Sequence, residues 1–259
     1  MPPGERHRNE ASTIDRDRRE YTKKARTRLG AGLLALLLLG GCATGPHAHP
    51  QDPLEPLNRR VMRFNDGLDQ AVVRPVAVAY RDTVPSPIRT GVNNFFGNLR
   101  DFWSFVNAVL QARPQQAAEN FMRFNVNTFF GLGGVLDIAT EMGIERTPLD
   151  MGQTLGRWGV PSGPYLVLPF FGPSSVRDGV GLVLDRQGDL IAQGVDHVPT
   201  RNSLYALRIT DTRVVLLPAT DMLDRVALDR YTFTRDAYLQ RRAAQISGQP
   251  PEERYDLDE

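Results

Sequence analysis

Lysine is almost absent from this chain. Its two lysines, Lys23 and Lys24, both precede residue 25, so the remainder can form neither a P-loop lysine contact nor a Schiff base. Cysteine occurs once, at Cys42, which excludes an internal disulfide and any cysteine-rich metal site. Histidine is scarce: His47 and His49 form a close pair, and His197 stands alone further on. Two ligands in a flexible stretch hold a metal weakly, so neither a metal site nor a cofactor is expected. No Gly-x-Ser-x-Gly elbow is present; Gly172-Pro173-Ser174-Ser175 comes nearest and lacks the second glycine. A serine hydrolase would have to use His197, which has no recognisable partner motif. We therefore expect a structural or surface histidine and no enzyme.

Long apolar runs are also missing. Leu29 to Leu39, led in by Arg26 and Arg28, has the length of a signal h-region and is too short to span a bilayer. It ends in Leu39-Gly40-Gly41-Cys42. Small residues at the cleavage point and a thiol directly after it form a lipobox, so Cys42 is the expected lipidation site. Ala43 in place of aspartate favours the outer membrane over inner-membrane retention. Arg18-Arg19 with Tyr21 and Lys23 faintly resembles a twin-arginine signal, and the long stretch before Arg26 equally suits a misplaced start codon. We expect a signal peptide over 1–41, a lipidated tether over 42–51, a helical domain over 52–246 and a disordered acidic tail over 247–259. Nine of the 31 basic and five of the 30 acidic residues precede Cys42. That leaves 22 against 25, a net of −3, which excludes a polybasic nucleic-acid binder.

What is abundant is short apolar periodicity. Asp52-Pro53-Leu54-Glu55 reads as a helix start, with Glu55-Pro56 able to serve one turn later. Leu57, Val61, Phe64, Leu68 and Val72 then recur at spacings of four, three, four and four. Pro75 should interrupt this helix and open another through Tyr80. Pro85-Ser86-Pro87 should start a third, with a break at Gly97-Asn98. Pro114 opens a helix with Ala117, Phe121, Phe124 and Thr128 on one face; Gly131, Gly133 and Gly134 end it, and a short helix is expected within 135–142. Eight of the twelve phenylalanines lie between Phe95 and Phe130, and only seven of the 56 residues from Val84 to Ala139 are charged. Tyr165 to Phe171, bracketed by prolines, suits a buried connector or edge strand. Ser174 or Ser175 should cap a helix through Val183, in which Gly179 and Gly181 permit close packing. Helical patterns resume near Arg201 and run to Ile246. Asp137, Asp150, Asp178 and Asp185 are scattered singly and read as caps or solvated groups. The apolar faces have two readings at this level: an ordinary helical core, or helices lying in a membrane interface beside a lipid anchor.

The ordered motifs resemble the MlaA family of lipoproteins, also called VacJ. The resemblance opens with Asp52-Pro53-Leu54-Glu55-Pro56-Leu57-Asn58-Arg59 and Phe64-Asn65, and continues through Asn94-Phe95-Phe96-Gly97-Asn98-Leu99 and Arg123-Phe124. Gly131-Leu132-Gly133-Gly134, Gly152-Gln153-Thr154-Leu155-Gly156 and Gly163-Pro164-Tyr165 complete it. It is dense from Asp52 to Asp185 and looser beyond. It implies a mainly α fold: a ring-like array of short amphipathic helices seated in the outer membrane, without a transmembrane helix. It implies a protein anchored there and facing the periplasm, which draws misplaced phospholipids from the outer leaflet through an amphipathic channel. The partners implied are phospholipid, a trimeric porin and a periplasmic phospholipid-carrier protein of the Mla system. Phe64, Asn65, Phe95, Phe96, Gly131, Gly133 and Gly134 are the expected lipid-channel or membrane-facing residues. The glycine cluster serves either as a mobile gate or simply as a helix end.

Overall fold

Pro75 does less damage than its position suggests. In a computed structural model, which describes residues 49–248, α1 (Glu55–Leu68) passes into one π turn over Asp69–Val73 and continues as α2 (Arg74–Thr83). Arg74 N–H bonds Asp69 O, five residues back. The widened turn absorbs the proline ring and its missing donor, so the chain stays helical instead of stopping. The chain divides into two compact units, Met1–Glu55 and Pro56–Glu259. Of the first, only a turn is described, in which Asp52 N–H reaches His49 O at 2.9 Å. Cys42, most of the tether and the tail from residue 249 lie outside the described residues.

Pro85 and Pro87 place two prolines around the start of α3 (Ser86–Leu110), where missing N–H groups cost nothing. The expected break at Gly97-Asn98 is absent, and α3 runs through it for 25 residues. Both residues serve packing instead. The Arg146 guanidinium occupies the place a Gly97 side chain would take, and Asn98 Nδ2 donates to Thr128 Oγ1 at 2.9 Å. After a tight turn at Ala112 (φ 53°), α4 (Pro114–Phe129) returns antiparallel to α3. Phe102 against Phe124 and Phe105 against Phe121, with centroids 5.3 and 5.2 Å apart, set the register.

The rest is built from shorter pieces. Asp137 and Asp150 cap α5 (Ile138–Glu141) and α6 (Met151–Arg157) through their side chains. Of the buried connector or edge strand expected at Tyr165–Phe171, the structure has the edge strand: β1 (Tyr165–Leu168) pairs antiparallel with β2 (Gly172–Ser175), with Leu168 opposite Gly172. Ser175 caps α7 (Val176–Asp185) by accepting from Asp178 N–H. A Cβ on Gly181 would stand 2.5 Å from Gly152 N, so these two glycines bring α7 against α6. A 3₁₀ turn (Arg186–Gly188) and α8 (Leu190–Gly194), unforeseen in the sequence, lead to α9 (Val198–Val226) and α10 (Arg230–Ser247). Helices make up 73% of the described residues. Among them, no helix is long and apolar enough to cross a membrane.

Candidate functional site

The interior of this protein is unusually polar. The stripe that α4 buries is Ala117, Asn120, Arg123 and Asn127; of the apolar face read from the sequence, Ala117 is buried, Phe124 and Thr128 are half-buried and Phe121 is exposed. On α3 the buried set includes Asn98, Asp101, Ser104 and Asn107. Arg123 and Asp101 are wholly inaccessible. Arg123 forks onto both oxygens of Asp137 at 2.8 Å and reaches Asp101 at 3.3 Å, Thr140 Oγ1 and Ile144 O. Arg146 Nε bonds Asp101 from the other side at 3.0 Å. A buried guanidinium survives only when its donors are matched in this way. Burial opposes ionisation of Asp137, but hydrogen bonds from Thr140, Asn127 and Arg123 outweigh it and hold the carboxyl down to about 2.

A second network crosses the end of the fold. Arg242 grips Asp150 at 2.7 Å and Asp178 at 3.0 Å, and Tyr238 O–H donates to Asp178. Burial disfavours both carboxylates, yet the bonds from Arg242 keep their pKa values below the usual range. The indole N–H of Trp103 donates to Asp185 at 2.7 Å. These aspartates, single in the sequence, thus join α3, α6, α7 and α10.

The large apolar side chains are displaced outward. Phe129, Phe130 and Leu132 are 76%, 74% and 74% exposed, and Phe170 and Phe171 are 71% and 69% exposed. Phe121, Met122, Trp158, Val180 and Val183 are exposed as well. Removing such side chains from water favours association by ~1.5–3 kcal/mol each. A surface with this many of them calls for an apolar partner.

The predicted residues fall into two groups. Phe64 and Asn65 sit beside the hairpin tip. Asn58 and Asn65, seven residues apart on α1, replace a neighbouring strand on the free edge of β1. Asn58 Nδ2 donates to Tyr165 O at 3.0 Å and its Oδ1 accepts from Val167 N at 2.9 Å. Asn65 Nδ2 donates to Leu168 O at 3.0 Å and its Oδ1 accepts from Phe170 N at 2.9 Å. The second clamp holds Phe170 in the left-handed region (φ 68°), with its ring edge-on to Phe64 at 5.6 Å. An unfavourable backbone state is thereby fixed so that two phenylalanines project from the tip.

The other group surrounds the glycine turn. Phe96 is interior at 6% exposure, with Phe95 against it at 5.3 Å. Gly131 and Gly134 are buried and Gly133 is exposed. Gly133 N–H bonds Thr128 O, and Gly134 N–H bonds Asn127 O. With φ 95° and a Cβ position 2.6 Å from Asn98, Gly134 admits no side chain. These bonds close the end of α4 on itself, and Asn98 of α3 packs against it, donating to Thr128 Oγ1. The exposure of the Phe129-Phe130 pair had no separate signal in the sequence beyond the crowding of phenylalanines, and Phe170-Phe171, read there as part of a buried connector or edge strand, stand exposed at the hairpin tip. His197 caps α9, its Nδ1 accepting from Thr200 N, and Ser174 Oγ donates to Ser175 O; neither is engaged with the other.

Comparison with known proteins places these features in context. The family model described as MlaA lipoprotein matches residues 50–245. The Escherichia coli (strain K12) intermembrane phospholipid transport system lipoprotein MlaA is 40% identical over 220 residues, 83% of this chain and 86% of that protein. The Haemophilus influenzae protein of the same name is 34% identical over 225 residues, covering 84% and 89%. A solved structure, "Structural basis for maintenance of bacterial outer membrane lipid asymmetry", superposes with a TM-score of 0.66 at 37% identity. It covers 75% of this chain and 98% of its own.

Proposed function

The chain belongs to the MlaA lipoprotein family, and from that premise we propose that it conducts phospholipids through an amphipathic channel while its exposed phenylalanines rest in the outer membrane. Its function is intermembrane phospholipid transport in the maintenance of outer-membrane lipid asymmetry. It acts at the outer membrane on phospholipid, in a family that transports and does not catalyse.

The observation that carries this reading is the group of large apolar side chains left outside, Phe129, Phe130, Leu132, Phe170 and Phe171, over an interior that buries paired arginines, aspartates and asparagines. Drawing a phospholipid with roughly 30 methylenes into water would cost about 24 kcal/mol at ~0.8 kcal/mol per CH₂. An amphipathic passage avoids that cost by keeping chains and headgroup each in a matching surrounding. In this reading short helices ring the passage, a lipid on Cys42 retains the protein at the inner face of the outer membrane, and misplaced outer-leaflet lipid passes to a periplasmic carrier. A trimeric porin is the membrane partner. Direction comes from downstream components, consistent with a passive conduit. In a strain lacking the gene, phospholipid should accumulate in the outer leaflet and detergent sensitivity should rise. An unchanged leaflet distribution would overturn the proposal.

A further inference from the structure

We infer that Arg100 and Arg208 form an anion site between α3 and α9, taking the phosphate of a phospholipid headgroup. The inference deepens the transport reading and rests on it.

The chain path brings the two residues together. Near one end of α3, Asn93 Nδ2 donates to Asp211 of α9 at 2.9 Å. Ten residues on, the Trp103 ring fills the place a Gly188 side chain would need. The next residue, Asp189, holds Arg208 at 3.1 Å and the Tyr205 hydroxyl at 3.0 Å. So α3 and α9 pass in opposite directions, and the stretch of α3 between Asn93 and Trp103 lies opposite the stretch of α9 that carries Arg208. Arg100 stands in that stretch.

The charges there are unequally satisfied. Asp101 is consumed by Arg123 and Arg146. Asp185 accepts from Trp103 and the Met151 N–H. Asp189 accepts from Arg208, Tyr205 and the Ile191 N–H. Arg100 has no carboxylate of its own among the described residues. Its side chain is open to water, yet surrounding protein desolvates it and, with the charges of Arg146 and Arg208, pushes its pKa down. Arg208 is held stiffly, its guanidinium 4.9 Å from the Tyr205 ring centroid. One guanidinium fixed and one unneutralised make a receptor for a phosphate, whose oxygens match the guanidinium fork.

The test uses the full chain in dodecyl maltoside micelles and calorimetric binding of three probes: dihexanoylphosphatidylglycerol, dihexanoylglycerol and inorganic phosphate. Arg100→Gln should weaken the phospholipid roughly tenfold, the loss of one charged hydrogen-bond donor, and leave dihexanoylglycerol unchanged. Arg100→Lys should retain most of the affinity, and Arg60→Gln, an exposed control on α1, should change nothing. Since the Arg100 side chain makes no hydrogen bond or ion pair among the described residues, its variants should melt with the wild type. Phospholipid binding indifferent to Arg100→Gln, or an equal loss for dihexanoylglycerol, overturns the site while leaving transport standing. Inorganic phosphate bound as tightly as the phospholipid assigns the residues to free phosphate and overturns the headgroup assignment. Wild-type protein that binds neither lipid overturns the transport reading, and this site with it.

Discussion

Asn65 and Asp137 show how single side chains set the geometry on which the exterior and interior depend. Asn65 satisfies one carbonyl and one N–H of the hairpin turn at once. Asn65→Ala leaves both without a protein partner, at about 1–3 kcal/mol. Hydrogen exchange at the Phe170 amide should speed up markedly and the melting temperature should fall. Asp137 tests the interior. Its folded pKa, about 2, lies below its ordinary 3.8, so its stabilising contribution is complete above about pH 4. That contribution disappears as pH falls through about 2. Asp137→Asn should lower stability at neutral pH and flatten the acid limb of the melting profile between those values. The importance of Asn65 was visible in the sequence only as part of a family motif. Its reason, an amide imitating a strand edge, needs the hairpin that faces it.

Among the elements, the hairpin and the turn after α4 present phenylalanines that stay largely exposed, Phe170 touching only the edge of Phe64 among the aromatic rings. Because Phe170 and Phe171 are already exposed, Phe170→Ser with Phe171→Ser should leave thermal stability nearly unchanged. Binding of the unlipidated Cys42→Ala form to phosphatidylglycerol vesicles should fall at least tenfold on the transfer scale; unchanged flotation would show that the tip does not enter lipid. Most helices were readable from prolines and capping residues. Pro85, Pro87 and Pro114 all stand at helix starts. Gly97-Asn98 misled because local propensity reports the backbone cost of glycine, whereas the guanidinium of Arg146 that needs the space lies 49 residues away. The second strand escaped notice because Gly-Pro-Ser-Ser has no strand propensity and is held by its partner and by the capping role of Ser175.

On the scale of the whole molecule, polarity is sorted against the usual direction. Unlipidated Cys42→Ala protein should therefore be monodisperse in dodecyl maltoside and should associate when detergent is withdrawn. Sedimentation in the two conditions checks this, and a stable monomer in plain buffer would contradict the assignment of the exposed phenylalanines to lipid.

Composition and local order alone determined the helical class, the crowding of phenylalanines and, among the described residues, the lack of a spanning helix, because each depends on residues near one another in the chain. Which face of each helix turns inward was decided only by the tertiary structure. Periodicity marks a face as apolar but carries no sign for its direction. The sign came from charged partners distant in sequence, Asp101 with Arg123 and Asp150 with Arg242, whose pairing draws the polar faces together and leaves Phe121, Phe129 and Phe130 outside.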